Sequence, residues 1–320
     1  MWMAETADVT IIGGGPVGLF GLYCAGLNCL NARLLERLDQ VGGQLEHLYP
    51  EKPIYDVGGF PHITGRELVA RLKEQAFQYS SEVLTGVTAH TLDSTSDIHR
   101  IHTNRGVFET RVVIITAGIG EFIPRRMMNP AIDQFEGRGL YYVVNRLSDF
   151  NNCRVLVVGG GDSAADWAMA IADRAQHVSV IHRRSTFQCH EDSLRKLENN
   201  PRVSLMPNRV LRAVGGDDRV REAWLQDAAG DPLAVPLEVD AIIIAIGLLP
   251  GTGIFSQWGL DMDGNEIRVT SSMRTNRPGI FAAGDIATYP GKVKLIAAGF
   301  GEVATAVEAA QSYLSDRFRG

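Results

Sequence analysis

The sequence predicts an α/β protein with two three-layer domains, the second inserted into the first. Two glycine-rich turns predict it, Gly13-Gly14-Gly15-Pro16-Val17-Gly18 and Gly159-Gly160-Gly161-Asp162-Ser163-Ala164, because each follows an apolar strand and precedes a helix. This order is typical of Rossmann-like dinucleotide-binding domains. Two similar apolar strands also end in small residues, at 111–118 and 240–247, on either side of the second turn. A chain of 320 residues has room for two such domains.

The first glycine turn opens a βαβ unit that ends in an acid. We predict a strand at residues 8–12, an amphipathic helix from Val17 to about Leu27, and a second strand ending at Glu36, 18 residues after Gly18. Glycines let the backbone approach a pyrophosphate, which rests on the positive N-terminus of the helix. A carboxylate after the second strand accepts hydrogen bonds from a ribose with a free 2′-hydroxyl, as in FAD. The predicted contacts are Gly13, Gly15, Pro16, Gly18 and Glu36.

The second glycine turn is followed by bases instead of an acid. The strand after it, Val178-Ser179-Val180-Ile181, runs into His182-Arg183-Arg184, and no carboxylate occupies the ribose position. Two guanidinium groups there suit a 2′-phosphate, which predicts NADP(H); the alternative is a solvated surface pair. The predicted contacts are Gly159, Gly161, Asp162, Ser163, Ala164, His182, Arg183 and Arg184.

The second domain is predicted to interrupt the first. Each of the two similar apolar strands ends in a turn, at Gly118-Ile119-Gly120 and at Gly247-Leu248-Leu249-Pro250, where we expect the chain to change domain. The expected domains are an FAD-binding domain at 1–117 and 250–320 and an NADPH-binding domain at 118–249.

A later strand ends in a glycine and an acid, Gly284 and Asp285. Such a turn can aim a carboxylate and backbone groups at the middle of a long dinucleotide, whereas the alternative is that Asp285 caps a helix. An alanine-rich helix, predicted from about Gly301 to Leu314, would present its N-terminus to the flavin or the pyrophosphate.

Composition and charge narrow the function. The net charge of -6 argues against nucleic acid as a main partner. No apolar run approaches membrane-spanning length and the first residues form no signal peptide, so we expect no membrane partner and a cytoplasmic location. The 4 cysteines are too few and too irregularly spaced for a disulfide scaffold or a zinc site, and no metal is expected. No side chain is assigned to catalysis, because the cofactors carry the chemistry.

With these motifs in place, the chain resembles the low-molecular-weight thioredoxin-reductase superfamily over nearly its whole length. The resemblance rests on residues 13–16, 159–164, 182–184 and 282–285. In that superfamily a redox Cys-x-x-Cys precedes the second glycine-turn strand, and here this stretch reads Tyr142-Val143-Val144-Asn145. The chain is therefore not expected to reduce a disulfide through a dithiol of its own.

A narrower resemblance is to the ferredoxin-NADP reductases built on the thioredoxin-reductase plan. The matching segments are Gly42-Gly43-Gln44-Leu45, Leu48-Tyr49-Pro50-Glu51-Lys52, Tyr55-Asp56-Val57, Gly59-Phe60-Pro61, 117–125 and 291–297. The resemblance implies that FAD contacts Glu36, Gln44, Tyr49, Phe122 and Asp285, with Tyr49 stacked on the isoalloxazine and Ala89 against the adenine. It also implies a homodimer. Members carry an arginine where Gln188 stands, so a third phosphate contact is expected to be missing and the NADPH preference to be milder.

Motifs and resemblance together predict an NADPH-dependent FAD oxidoreductase that exchanges electrons with ferredoxin or flavodoxin, with hydride transfer between nicotinamide and flavin N5. Two alternatives stay open. The short C-terminus favours an NADPH oxidase or diaphorase acting on oxygen, a quinone or an iron chelate, because members of the resembled family extend further. A redox-inactive nucleotide-binding sensor is the other, supported only by the missing dithiol.

Overall fold

The structure is a computed structural model that describes residues 6–48, 50–118, 120, 123–227, 229–231, 235–249 and 253–318. Its α-helices are α1 (Pro16–Leu27), α2 (Gly43–His47), α3 (Gly65–Ala76), α4 (Pro130–Asp133), α5 (Asp162–Ala172), α6 (Glu191–Glu198) and α7 (Ile296–Phe318), and short 3-10 helices span Leu147–Phe150 and Phe255–Trp258. Its strands are β1 (Ala7–Ile12), β2 (Ala32–Leu35), β3 (Pro53–Ile54), β4 (Ile63–Thr64), β5 (Glu82–Leu84), β6 (Ala89–Ser94), β7 (His99–Thr103), β8 (Gly106–Ile115), β9 (Ile123–Pro124), β10 (Leu140–Tyr141), β11 (Arg154–Val158), β12 (His177–His182), β13 (Val203–Pro207), β14 (Arg209–Gly215), β15 (Glu222–Asp227), β16 (Leu237–Glu238), β17 (Ala241–Ile244), β18 (Leu248–Leu249), β19 (Met262–Asp263), β20 (Glu266–Arg268), β21 (Ile280–Ala282) and β22 (Ala287–Thr288).

The chain forms two compact units. The first comprises Met1–His47, Pro53–Phe122 and Pro250–Gly320, and the second comprises Leu48–Lys52 and Ile123–Leu249. The segment Leu48–Lys52 thus belongs to the second unit, which the sequence patterns do not predict. Two polar contacts hold it there: the Leu147 N–H donates to Glu51 Oε2 at 2.8 Å, and Lys52 Nζ lies 2.6 Å from Asp166 Oδ2.

The first unit is built on a seven-stranded mixed sheet in the order β5-β2-β1-β8-β7-β6, with β21 also paired to β8. Strands β5, β2, β1, β8 and β21 run parallel, and β6 and β7 add an antiparallel hairpin. β8 pairs with β7 through its first half and with β21 through its second half. Strands β1 and β2 and the second half of β8 are almost wholly buried, as expected for parallel strands covered on both faces.

Helix α1 is not amphipathic, so that prediction was wrong. Of its residues only Leu27 is exposed. The physical reason is that α1 packs against the sheet and also against α3 and α7, so that apolar contacts surround it on several sides.

Helix α7 begins at Ile296, ahead of the position near Gly301 predicted from the sequence. Its first N–H group, on Ile296, donates to Asp56 Oδ2 at 2.8 Å, across 240 positions of the chain. A carboxylate at a helix N-terminus satisfies a free amide and complements the helix dipole. Because this cap comes from a distant segment, the local sequence does not mark where the helix starts.

The second unit repeats the same plan. Its main sheet is parallel throughout, in the order β10-β17-β11-β12-β13, and an antiparallel sheet β14-β15-β16 stands beside it. Helix α5 packs on this sheet through Trp167, Ala168 and Ile171, which are buried among the apolar residues of β11, β12 and β17. The predicted fold class, two Rossmann-like α/β domains, is confirmed. In the part of the chain described, no helix is long and apolar enough to cross a membrane.

His99, at the start of β7, makes the stability of the fold depend on pH. Its side chain is 4% exposed, its Nδ1 lies 2.8 Å from Ser94 Oγ, and burial, helped by nearby Arg277, lowers its pKa from 6.5 to about 4. Between pH 4 and pH 6.5 His99 is protonated in the unfolded chain but not in the folded chain. The contribution of His99 to the free energy of unfolding is therefore present above pH 6.5 and is lost as the pH decreases toward 4.

We expect this histidine alone to lower the free energy of unfolding by about 2 kcal/mol from pH 7 to pH 5. Urea unfolding of the full chain at both pH values, compared with His99→Asn, measures the effect. The variant keeps an acceptor for Ser94 and should lose less stability over this range. Equal losses in the two proteins would contradict the assignment.

Candidate functional site

Three parallel strands of the first unit end at one level of the sheet. Ile12 of β1 is in register with Ile115 of β8, which is in register with Ala282 of β21. The residues that follow these ends are the first glycine turn, Thr116 and the Gly284-Asp285 turn. Ligands of open α/β sheets bind beyond the carboxyl ends of the strands. The structure therefore brings the two predicted parts of the first site to one edge.

The geometry of the first turn requires glycine at two positions. Gly13 has a φ of +108°, and a Cβ built there would lie 2.6 Å from the Thr116 carbonyl oxygen. A Cβ on Gly18 would lie 1.9 Å from the Gly13 carbonyl oxygen. Gly15, the N-cap of α1, instead faces open space, with nothing within 4 Å of a built Cβ, and Pro16 opens the helix. The free amides of the first helical turn can thus bind an anion there.

Glu36 closes this turn from the side. Its carboxylate is 6% exposed and accepts hydrogen bonds from the N–H groups of Gly14, at 2.6 Å, and Leu38, at 2.8 Å. Burial raises the pKa of Glu36, and these two hydrogen bonds oppose the shift. Each carboxylate oxygen has a second lone pair, which leaves Glu36 able to accept from a ribose hydroxyl.

Two further predicted residues lie near this turn. Gly43 packs against Gly15, with 3.0 Å between its built Cβ and the Gly15 Cα, and places Gln44 of α2 so that its Nε2 is 3.7 Å from a Cβ built on Gly118. Ala89 is buried in the apolar cluster that also contains Leu35. Tyr49 and Phe122 lie outside the described residues.

Asp285 completes the first site. Its carboxylate is half-buried and accepts no hydrogen bond from any residue in the described ranges, and burial raises its pKa, opposed by Lys292. Asp285 therefore caps no helix in the described ranges, so the alternative interpretation of this residue as a helix cap is wrong. A half-buried carboxylate without a donor fits a ligand that brings hydroxyl groups, as FAD does. Gly284, Val17 and Gly299 meet beside it: a Cβ on Gly284 would lie 3.2 Å, and one on Gly299 2.6 Å, from Val17 side-chain atoms.

The second site has the same construction. Val158 of β11 is in register with Ile181 of β12 and Ile244 of β17, so the second glycine turn also starts at the carboxyl edge of a parallel sheet. Gly159 has a φ of +157°, and its Cβ would lie 2.3 Å from the Ala245 carbonyl oxygen. Gly161, the N-cap of α5, faces open space.

A loop crosses this second turn. The Gln188 N–H donates to the Gly160 carbonyl at 2.5 Å, and the His190 N–H donates to Asp162 Oδ1 at 2.9 Å. The Asp162 side chain therefore anchors the loop, which leaves its backbone for the predicted phosphate contact. Ser163 is exposed beside it, while Ala164 is buried in the core.

The basic group lies at the end of β12. Arg183 and Arg184 are exposed, and neither guanidinium forms an ion pair or a hydrogen bond with a residue that the structure describes. His182 packs on the turn, since a Cβ on Gly160 would lie 2.2 Å from its Nδ1, and burial and the two arginines lower the pKa of its ring. Its Nε2 is buried without a partner among the described residues. Two free guanidinium groups beside a glycine turn fit a phosphorylated ribose.

Comparison with known proteins agrees with this geometry. Residues 7–312 match the family model for pyridine nucleotide-disulphide oxidoreductases. The chain belongs to this family. Its members depend on FAD and a pyridine nucleotide, and so does this protein.

Individual relatives of this oxidoreductase are similar over nearly their whole length. It is 44% identical to ferredoxin-NADP reductase 2 of Bacillus pumilus, over 99% of this chain and 95% of the relative, and 43% identical to the ferredoxin-NADP reductase of Thermus thermophilus, over 97% and 93%. Among solved structures, Lactococcus lactis thioredoxin reductase superposes with a TM-score of 0.83 at 26% identity, over 97% of this chain and 100% of that one. The resemblance inferred from the motifs is confirmed.

Three residues next to the first site are absent from the predicted contacts. Asp56 caps α7, and the side chains of Lys292 and Glu302 contact Gly284. A signal for Glu302 exists in the sequence, because it is the one acid among the buried positions of α7, on the same helical face as Gly299, Val303 and Ala306. No comparable local signal marks Asp56.

Proposed function

We propose that this protein is a ferredoxin-NADP reductase, with FAD held by the first unit and NADP(H) by the second. The observation that carries the proposal is a difference between the two similar glycine-turn sites. Each has an open glycine turn at a helix N-terminus, but one is bordered by the buried acid Glu36 and the other by Arg183 and Arg184, whose guanidinium groups have no partner among the described residues. The names of the relatives support the choice of ferredoxin as the electron partner.

In the first unit, different residues bind different parts of FAD. The α1 N-terminus at Gly15 binds the pyrophosphate, Glu36 accepts from the adenosine ribose, and Asp285 accepts from a hydroxyl nearer the flavin. The resemblance alone assigns Tyr49 to the isoalloxazine and Phe122 to a contact with FAD, and both lie outside the described residues. The exclusion of side chains at Gly13 and Gly18 keeps the backbone close enough for these contacts.

In the second unit, the α5 N-terminus at Gly161 binds the pyrophosphate of NADP(H). Arg183 and Arg184 bind the 2′-phosphate, and His182 supports the second glycine turn by packing on Gly160. This set selects NADPH over NADH, because an unphosphorylated ribose leaves both guanidinium groups without an ion partner.

FAD, when bound, would supply the redox chemistry that links two-electron transfer from NADPH to one-electron transfer to a carrier. The chain offers no dithiol to receive the electrons, because none of its 4 cysteines lies in a Cys-x-x-Cys pair. An external one-electron carrier, ferredoxin or flavodoxin, is therefore the acceptor that we propose.

The rate of NADPH oxidation with and without carrier tests the function. We expect oxidation to increase with ferredoxin or flavodoxin concentration and to saturate, and oxygen uptake without carrier to stay a small fraction of that rate. Rapid oxygen, quinone or iron-chelate reduction with no carrier dependence would instead identify an oxidase or diaphorase. No oxidation with any acceptor would leave a redox-inactive sensor.

Gln188 offers a prediction about cofactor selectivity. Its backbone is fixed to Gly160 of the second glycine turn, and its side chain is exposed. Replacing Gln188 with arginine adds a third guanidinium group and should lower KM for NADPH by roughly 3- to 10-fold with little change for NADH. Steady-state kinetics with both nucleotides measure it. A parallel gain for NADH would mean that this position does not face the 2′-phosphate.

We also propose that the protein is a homodimer, as the resemblance implies, and that it is cytoplasmic, as expected from its sequence. Light scattering on the eluted protein checks the assembly, with twice the chain mass as the expected result and a single chain mass as the contrary one.

A further inference from the structure

A buried ion pair lies beside the Gly284-Asp285 turn. Lys292 Nζ is 2.5 Å from Glu302 Oε1 and 2.7 Å from Glu302 Oε2, and the two side chains are 7% and 5% exposed. Removing two charges from water is unfavourable unless further hydrogen bonds satisfy them. Apolar residues of similar volume are often at least as stable in place of a buried ion pair, so the contacts of this pair point to its role.

Those contacts converge on one residue. Glu302 Oε2 accepts a hydrogen bond from the Gly284 N–H at 2.8 Å, and Lys292 Nζ donates to the Gly284 carbonyl at 3.0 Å. The Tyr289 hydroxyl donates to Glu302 Oε1 at 2.8 Å and holds the carboxylate from a third side. The ion pair thus binds both backbone polar groups of Gly284.

Fixing Gly284 also fixes the acid that follows it. Gly284 has a φ of +79°, a conformation that only glycine adopts readily, and its backbone sets the direction in which the Asp285 side chain leaves the chain. Asp285 itself has no hydrogen-bond partner among the described residues that could hold it. Its orientation therefore depends on the turn, which is held by the ion pair and by a hydrogen bond from the Ala287 N–H to the Gly284 carbonyl at 2.9 Å.

We propose that Glu302 and Lys292 are positioning residues for FAD binding, which hold the Gly284 peptide so that Asp285 meets the cofactor. The inference rests on the proposed function only in placing FAD at this edge of the first unit. Neither residue needs to touch the cofactor, because both act through the backbone of the turn.

The chain contains a matched control. Lys294 lies two positions from Lys292 and pairs with Glu266, and both side chains of this second pair are more exposed. Glu266→Gln removes one carboxylate from the surroundings of Asp285, as Glu302→Gln does, but breaks no contact to Gly284. The difference between the two variants thus isolates the hydrogen bonds to the turn from the change in charge.

The experiment measures the dissociation constant of FAD for the 320-residue chain by ultrafiltration, after the cofactor has been stripped. We expect Glu302→Gln and Asp285→Asn each to weaken FAD binding at least 10-fold, Tyr289→Phe to weaken it less, and Glu266→Gln to change it less than 3-fold. Because Glu302 acts through Asp285, the double variant Glu302→Gln/Asp285→Asn should bind only slightly more weakly than the weaker single variant.

Each failure has a distinct meaning. If Asp285→Asn binds FAD like the wild type, the proposed flavin site is wrong. Two other outcomes would leave the flavin site in place but rule out the positioning role, provided that Asp285→Asn weakens FAD binding. In the first, the effects of Glu302→Gln and Asp285→Asn multiply in the double variant. In the second, Glu302→Gln has the same dissociation constant for FAD as Glu266→Gln. If Glu302→Gln does not fold, Tyr289→Phe is the deciding variant. A dissociation constant of Tyr289→Phe for FAD that equals the wild-type value would then overturn the proposal.

Discussion

Alanine at position 18 is expected to abolish FAD binding and to destabilise the first unit. A methyl group there would lie 1.9 Å from the Gly13 carbonyl oxygen, which is backbone, and 2.9 Å from Oγ1 of the buried Thr116. The overlap forces the glycine turn and α1 apart, at a cost of about 3 kcal/mol or more. The purified variant should be colourless and should unfold at a lower temperature than stripped wild type.

Gly15→Ala is the matched variant at the same turn. It adds the same methyl group where no atom lies within 4 Å, at a backbone conformation that alanine adopts freely. The stripped variant should unfold like stripped wild type yet bind FAD at least roughly 10-fold more weakly, because the methyl occupies the space of the pyrophosphate. If Gly15→Ala bound FAD normally, the cofactor would not lie on the N-terminus of α1.

The second large effect is expected at the arginine pair. Replacing Arg183 and Arg184 together with alanine should raise KM for NADPH by roughly 100-fold and change KM for NADH less than about threefold. The reason is that both guanidinium groups are without partners among the described residues and can each form charge-assisted hydrogen bonds to the 2′-phosphate. Steady-state kinetics with the two nucleotides and a common acceptor measure the ratio.

Arg195→Ala provides the control for this experiment. Arg195 is exposed on α6 of the same unit, where it pairs with Glu191, so its loss changes the net charge without touching the second glycine turn. Its KM for NADPH should stay close to the wild-type value. Equal losses with NADPH and NADH in the double variant would mean that the arginines bind a part common to both nucleotides.

The predictable parts of the structure are those that depend on neighbours in sequence. Gly18 reports a local steric need, because its Cβ would meet the Gly13 carbonyl, and an acid or a base at the end of the second strand follows from the geometry of one βαβ unit. These features predicted both sites and the fold class.

The parts that could not be predicted depend on contacts between distant segments. Asp56 caps a helix across 240 positions, and α1 is apolar on several sides because two other helices cover it. The ion pair of Lys292 and Glu302 is visible only once the turn is folded between them. Sequence periodicity shows which face of an element is apolar, but not which polar group of another segment it will meet.

Anaerobic rapid mixing of the FAD-loaded protein with NADPH, followed by ferredoxin, tests the central claim most directly. We predict that NADPH bleaches the flavin absorbance quickly, that NADH does so much more slowly, and that ferredoxin restores the absorbance while becoming reduced. Bleaching that ferredoxin cannot reverse, or no bleaching by NADPH, would contradict the account.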